Sequence, residues 1–136
     1  MIYGIGIDIV HIPKFKKTIE RWGDRFKNRI FTQNELAYCE EKRFSEQHLA
    51  VRFAAKEAFI KALGRAVKFS DIEILNNQAG KPRIVFKPET LPIDLQSELQ
   101  STPGGQNSKL RTFLTLSHDG DYCIAQVILE IDKTIL

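Results

Sequence analysis

The chain has 136 residues, of which 43% are hydrophobic and 27% charged, with a net charge of +3. That is enough chain for one real core and too apolar a mixture for disorder. No apolar run nears the roughly 20 residues of a membrane span, the N-terminus lacks the plan of a signal peptide, and two cysteines are too few for a disulfide framework or metal cluster. The expectation is a single cytoplasmic domain over residues 1–136 with free thiols.

Residues 2–9 read as a strand. Tyr3, Ile5 and Ile7 alternate with Gly4, Gly6 and Asp8, so one face is bulky and the other has no side chain until Asp8. A glycine face lets another backbone come close. The alanine-rich stretch 54–62 suits that role, and packing the two together brings Asp8 near Glu57. As a strand-end turn former, Asp8 would need no such partner.

Residues 12–30 read as an amphipathic helix with Pro13 in its first turn. Ile12, Phe15, Ile19, Trp22 and Phe26 share one face at spacings of three and four. Lys14, Lys17, Arg21 and Arg25 form a basic stripe beside it. Such a stripe suits an acidic partner, or it is simply solvated. No aromatic interleaves with it, which argues against single-stranded nucleic acid.

Thr32 and Glu35 make a capping box that opens a short helix over about 33–43. The strongest helix signal follows, over 48–63, with Ser45 as N-cap and Gly64 just past the end. It is apolar almost all round, which places it inside the domain. Yet it carries Arg52, Lys56, Glu57 and Lys61, and charged groups are seldom buried unpaired. Phe53, Glu57 and Lys61 stack at i, i+4 and i+8. The plain alternative is a surface Glu–Lys pair worth about 0.3–0.5 kcal/mol; the apolar surroundings favour a cleft instead.

Ile72 to Leu75 and Pro82 to Phe86 read as a hairpin around the turn 76–80. Residues 92–100 suggest a short helix and 101–108 a loop. Residues 110–117 and 122–131 form a second hairpin around Asp119-Gly120-Asp121.

Three stretches together resemble the 4′-phosphopantetheinyl transferases, in their short single-domain branch. They are Gly4-Ile5-Gly6-Ile7-Asp8, the run from Arg52 to Gly64, and Leu116-Ser117-His118-Asp119 with the strand after it. The resemblance implies an α+β fold, with a long central helix packed on small antiparallel sheets. It implies an enzyme of fatty acid biosynthesis that moves the 4′-phosphopantetheine arm of coenzyme A onto a serine of apo-acyl carrier protein, releasing adenosine 3′,5′-bisphosphate. It implies Mg²⁺ held by Asp8 and Glu57, with Asp8, Glu57 and Lys61 as catalytic residues. Arg52, Lys56, Lys61, Gly64, Lys81, Pro82, Ser117 and His118 would hold coenzyme A, with Arg52, Ser117 and His118 at its 3′-phosphate. Lys14, Lys17, Arg21 and Arg25 would dock the acidic carrier protein. The assembly implied is a homotrimer with active sites between subunits, with no nucleic acid and no membrane span.

Two features depart from the family pattern. Gly64-Arg65-Ala66-Val67 stands where many relatives carry Gly-Thr-Gly, and residues 88–109 are longer than usual. Two rivals stay open on the residues alone: a non-catalytic module for acidic proteins, and another Mg²⁺-dependent nucleotide-cleaving enzyme. The first explains the basic stripe but not Asp8, Glu57 and Lys61 together.

Overall fold

Strand β1 (Ile2–His11) lies flat on helix α3 (Ser45–Leu63) because glycine and alanine face each other there. A Cβ added to Gly4 would stand 1.9 Å from the Ala62 carbonyl oxygen, so no larger residue fits. Ala54, Ala55, Ala58 and Ala62 are buried along the same helix. The computed structural model describes residues 1–100 and 109–132. The loop expected over 101–108 lies outside them.

β1 is an edge of a three-stranded antiparallel sheet in the order β1-β5-β4, with β4 at Lys109–Asp119 and β5 at Tyr122–Asp132. One face of this sheet packs on α3. Val127, Leu129 and Ile131 of β5 and Leu114 of β4 supply the core there. A separate hairpin, β2 (Ile72–Asn76) with β3 (Pro82–Phe86), packs Ile72, Ile74 and Ile84 inward. Helix α4 (Ile93–Gln100) follows β3. The architecture is the expected α+β one, a long central helix against two small antiparallel sheets.

Helix α1 (Ile12–Ile30) starts where His11 accepts from the Lys14 amide through Nδ1, and it is kinked at Gly23, whose φ is +62°. Its buried face is narrower than the spacing suggested. Phe15 and Ile19 are buried, but Trp22 is 59% exposed, with the Arg21 guanidinium over its ring. At 100° per residue Trp22 falls at the edge of the stripe, about 60° from Ile19, while Phe26 beyond the kink still packs on the core.

Helix α2 (Gln33–Glu40) ends three residues earlier than expected. Glu40 and Glu41 stand at its C-terminus, where the helix dipole disfavours acidic groups. α3 starts at Ser45, so Ser45 is its first residue and not its N-cap. The Gln47 and His48 amides bond to the Phe44 carbonyl instead. No helix among the described residues is long and apolar enough to cross a membrane.

The outer face of the three-stranded sheet is apolar and exposed. Ile5, Ile7 and Ile9 of β1 are 55–60% exposed, and Phe113 and Ile124 from the neighbouring strands lie on the same side.

Candidate active site

The close β1–α3 contact brings Asp8 and Glu57 to one cleft. Asp8, Ile9, Val10 and His11 supply one wall; Lys14, Phe15 and Thr18 of α1 supply another; Phe53, Glu57 and Lys61 of α3 supply the third. The cavity is about 460 Å³ and open to solvent. Phe53, Glu57 and Lys61 line it together, as their i, i+4, i+8 spacing requires.

Lys61 reaches across to β1. Its Nζ donates to Asp8 Oδ1 at 3.0 Å and to the Ile7 carbonyl at 2.9 Å. Asp8 is the more enclosed partner, with 16% of its side chain exposed against 53% for Lys61. Glu57 is held above the usual carboxylate range, first by burial and then by the Asp8 charge, with Lys61 acting the other way. The cleft therefore keeps two carboxylates close, with the half-exposed Lys61 ammonium bonded to one of them. Like charges in one site raise the cost of ionising both. Such an arrangement gains from a hard cation, which needs only one or two carboxylates when phosphates and waters complete its shell. Among the described residues no group of three or more His, Cys, Asp or Glu is gathered for a metal.

Lys56 is not on this face, and its expected place among the coenzyme A contacts is corrected. It is fully buried, and its ammonium donates to Glu35 Oε1 and the Ile30 carbonyl, both at 2.6 Å, and to the Phe69 carbonyl at 3.1 Å. Its three N–H groups are spent, so it has none for a ligand. Glu35 also accepts from the Thr32 and Ile74 amides. The pair ties α2, α3, the end of α1 and β2 together.

Arg52 keeps one donor unspent: its Nε is buried with no hydrogen-bond partner among the described residues. It is 3% exposed, its guanidinium lies over Tyr38, Nη1 donates to the His48 carbonyl, and Nη2 donates to Asn76 Oδ1 at 2.6 Å. Of Ser117 and His118, only His118 is on the side of the sheet that faces α3. Strand alternation puts Ser117 on the outer sheet face opposite Ile124, and His118 on the inner face opposite Cys123. His118 instead approaches His48, whose pKa is lowered by burial, then by Arg52, Lys42 and His118. Lys42 and His48 had no motif to announce them; only the fold gathers them.

Gly64 ends α3 in the left-handed conformation, φ +79°, with its amide on the Ile60 carbonyl. Lys81 and Pro82 line a second cavity of about 320 Å³ with Asn77, Arg83 and Thr112–Thr115. It shares no lining residue with the first cleft. Lys14, Lys17, Arg21 and Arg25 are exposed along α1. A third groove, lined by Thr18, Trp22, Arg25, Phe26 and Arg29, meets the first cleft at Thr18.

Comparison with known proteins agrees with this geometry. The 4′-phosphopantetheinyl transferase superfamily matches residues 4–127. The chain is 41% identical to a holo-[acyl-carrier-protein] synthase of Geobacter sulfurreducens, over 96% of this chain and 98% of that protein. It is 40% identical to the one from Geobacter sp. strain M21, over 96% and 99%. Among solved structures, the holo-[acyl-carrier-protein] synthase of Neisseria meningitidis superposes with a TM-score of 0.77 at 34% identity, covering 96% of this chain and 99% of that one. The Bacillus anthracis enzyme, solved in complex with coenzyme A (3′,5′-ADP), superposes with a TM-score of 0.72 at 32% identity, over 98% and 99%. The chain belongs to the 4′-phosphopantetheinyl transferase superfamily.

Proposed function

We propose that this chain transfers the 4′-phosphopantetheine group of coenzyme A to a serine of apo-acyl carrier protein, with adenosine 3′,5′-bisphosphate as the second product. The observation that carries this reading is the single cleft holding Asp8, Glu57 and Lys61, in a chain whose relatives are holo-[acyl-carrier-protein] synthases over nearly their full length. The holo-carrier protein then serves fatty acid synthesis.

The serine oxygen bonds to the phosphorus that carries pantetheine, and the bond from that phosphorus to the bridging pyrophosphate oxygen breaks. Negative charge grows on the leaving phosphate. Lys61, half exposed at the cleft mouth, neutralises it. Asp8 and Glu57 would hold Mg²⁺, which supplies polarisation of the pyrophosphate and steadies the leaving group. Glu57 also takes the serine proton through water.

Carrier protein docks on α1. The exposed stripe of Lys14, Lys17, Arg21 and Arg25 meets its acidic surface and speeds encounter. The groove around Trp22 and Phe26, continuous with the cleft through Thr18, gives the docked partner an apolar seat beside the chemistry.

The working form is a homotrimer. Ile5, Ile7, Ile9, Phe113 and Ile124 stand exposed on one side of the sheet, a grouping of the kind that marks an interaction site, and other copies of this chain are its occupant. Ile9 belongs both to this face and to the wall of the cleft, so the interface runs up to the site. Gly64, Lys81, Pro82, Ser117 and His118, scattered within one chain, are then shared between neighbours around one coenzyme A. Two unpaired thiols, Cys39 and Cys123, suit a cytoplasmic setting, and we read residues 1–136 as one domain.

Mass spectrometry tests the activity. Apo-carrier protein incubated with coenzyme A, Mg²⁺ and this protein gains the mass of one phosphopantetheine. An unmodified carrier protein at high enzyme concentration removes the proposal, and binding of carrier protein without transfer favours the non-catalytic module.

A further inference from the structure

His11 stands at the corner where β1 ends and α1 begins, with Asp8 one way along the chain and Lys14 the other. It lines the cleft together with both of them. It is half-buried, and its ring packs against Tyr122, its partner across the sheet, with centres 5.0 Å apart and planes tilted by 60°.

The two ring nitrogens have different surroundings. Nδ1 accepts from the Lys14 amide at 3.2 Å and so caps α1. A backbone amide can only donate, so Nδ1 carries the lone pair and the hydrogen of the neutral ring sits on Nε2. Nε2 lies on the far side of the ring from that bond, and no described residue accepts from it. The Ile12 amide donates to the Asp121 carbonyl at 2.7 Å, which ties the same corner to the β4–β5 turn. His11 thus offers one unspent N–H from a ring already held by the helix cap and by Tyr122. A donor held in advance gives up little rotamer freedom when a partner arrives.

The place of this donor says what it meets. Lys14 begins the basic stripe assigned to the carrier protein, and Asp8 belongs to the carboxylate pair assigned to the metal. A serine delivered from a partner seated on α1 reaches that pair past the wall between them. Of the neutral donors on this wall, Thr18 spends its hydroxyl hydrogen on the Lys14 carbonyl at 3.1 Å, which leaves Nε2 of His11.

We infer that His11 is a specificity-determining residue for the carrier protein: its Nε2–H donates to an oxygen of the carrier segment beside the acceptor serine. The inference rests on the proposed function for its partner. A carboxylate or a main-chain carbonyl supplies the lone pair, and an acidic partner is rich in the former.

Two substitutions separate the two nitrogens. The amide of asparagine reaches the place of Nδ1, and that of glutamine the place of Nε2. His11→Asn keeps the cap, since asparagine is among the preferred capping residues, and loses the outer donor. His11→Gln keeps the outer donor and gives up the cap. His11→Ala loses both. Transfer by the full chain is measured with carrier protein and coenzyme A varied in turn, beside melting temperature and sedimentation. His11→Asn should melt no lower than wild type and raise KM for carrier protein about fivefold, the loss of one hydrogen bond. Its kcat and its KM for coenzyme A should barely change. His11→Gln should melt lower, yet bring KM for carrier protein back to within about twofold of wild type. His11→Ala should show both losses.

An unchanged KM for carrier protein in His11→Asn overturns the inference. So does a KM that follows melting temperature across the three variants, which would make His11 a helix cap and nothing more. An equal rise in KM for coenzyme A would put Nε2 on coenzyme A. Strand alternation sets His11 on the same side as Ile9, so dissociation of the assembly in His11→Asn would put Nε2 on a neighbouring subunit. Either result overturns the inference. Calorimetric binding of apo-carrier protein, without coenzyme A, reads the same contact with no turnover. The loss in His11→Asn and the recovery in His11→Gln should recur there. A wild type that binds carrier protein but transfers nothing removes the proposed function, while these affinities still decide the role of His11.

Discussion

Gly6 approaches Ala58 so closely that a Cβ on Gly6 would stand 1.8 Å from the Ala58 carbonyl oxygen. The obstacle is helix backbone, which cannot turn aside as a side chain can. Gly6→Ala must therefore push β1 off α3, and overpacking of this kind costs about 1–3 kcal/mol, sometimes more. Asp8 is two residues further along the same face, so the shift also separates it from Glu57 and Lys61. The expected result is a lower melting temperature together with loss of transfer. A Gly6→Ala protein with wild-type melting and activity would mean that the strand–helix contact does not position the site.

Glu57 gives a pH prediction. Its ordinary value is 4.5, and burial followed by the Asp8 charge raises it in the folded protein. The folded state then holds this proton more tightly than the unfolded state. Stability contributed by Glu57 is complete below the unfolded value and is lost as pH rises through the raised one. In metal-free protein, Glu57→Gln should accordingly melt higher than wild type at neutral pH, with the gap closing in acid. Its transfer activity should be lost at every pH. Melting curves with and without Mg²⁺ check this: added Mg²⁺ should stabilise wild type and leave the variant unmoved. A variant that melts below wild type at neutral pH without metal contradicts the electrostatic reading.

Local pattern announced some of these features and was blind to others for definable reasons. The glycine face of β1 and the alanine run of α3 were legible because close packing leaves a mark on both partners. The i, i+4, i+8 stack of Phe53, Glu57 and Lys61 was legible because α3 is regular over that stretch. Trp22 shares a face with Phe15 and Ile19 only at that face's edge, so spacing alone did not show it exposed. Lys56 was misread as a ligand contact because its partner, Glu35, is 21 residues away on another helix, a distance no periodicity spans.

The outer sheet face yields a prediction on assembly. Ile7 is 57% exposed and paired with Gln126 in the sheet. At the proposed subunit contact Ile7→Glu would bury a charge, where an unpaired charge is costly, yet it would cost an isolated subunit little because the position faces solvent there. Sedimentation should show trimers for wild type and monomers for Ile7→Glu, with transfer lost and secondary structure retained. A monomeric wild type with full activity would remove the trimer from the proposal.

The basic stripe separates docking from chemistry. Arg21 and Arg25 are exposed on α1, outside the walls of the Asp8–Glu57–Lys61 cleft. Arg25 does line the neighbouring groove with Trp22 and Phe26, so reversing both arginines to Glu turns a face attractive to acidic protein into a repulsive one. Exposed charges act mainly on association rate and orientation, and their reach shrinks as salt shortens the screening length to about 8–10 Å at physiological ionic strength. The double reversal should therefore raise KM for carrier protein several-fold at low salt and progressively less as salt is added. The KM for coenzyme A and the melting temperature should barely move. A solvated stripe with no docking role predicts an unchanged KM for carrier protein at every salt concentration. Equal losses for both substrates would instead mean that α1 shapes the cleft itself, through Lys14, Phe15 and Thr18, and that the reversal has disturbed the helix.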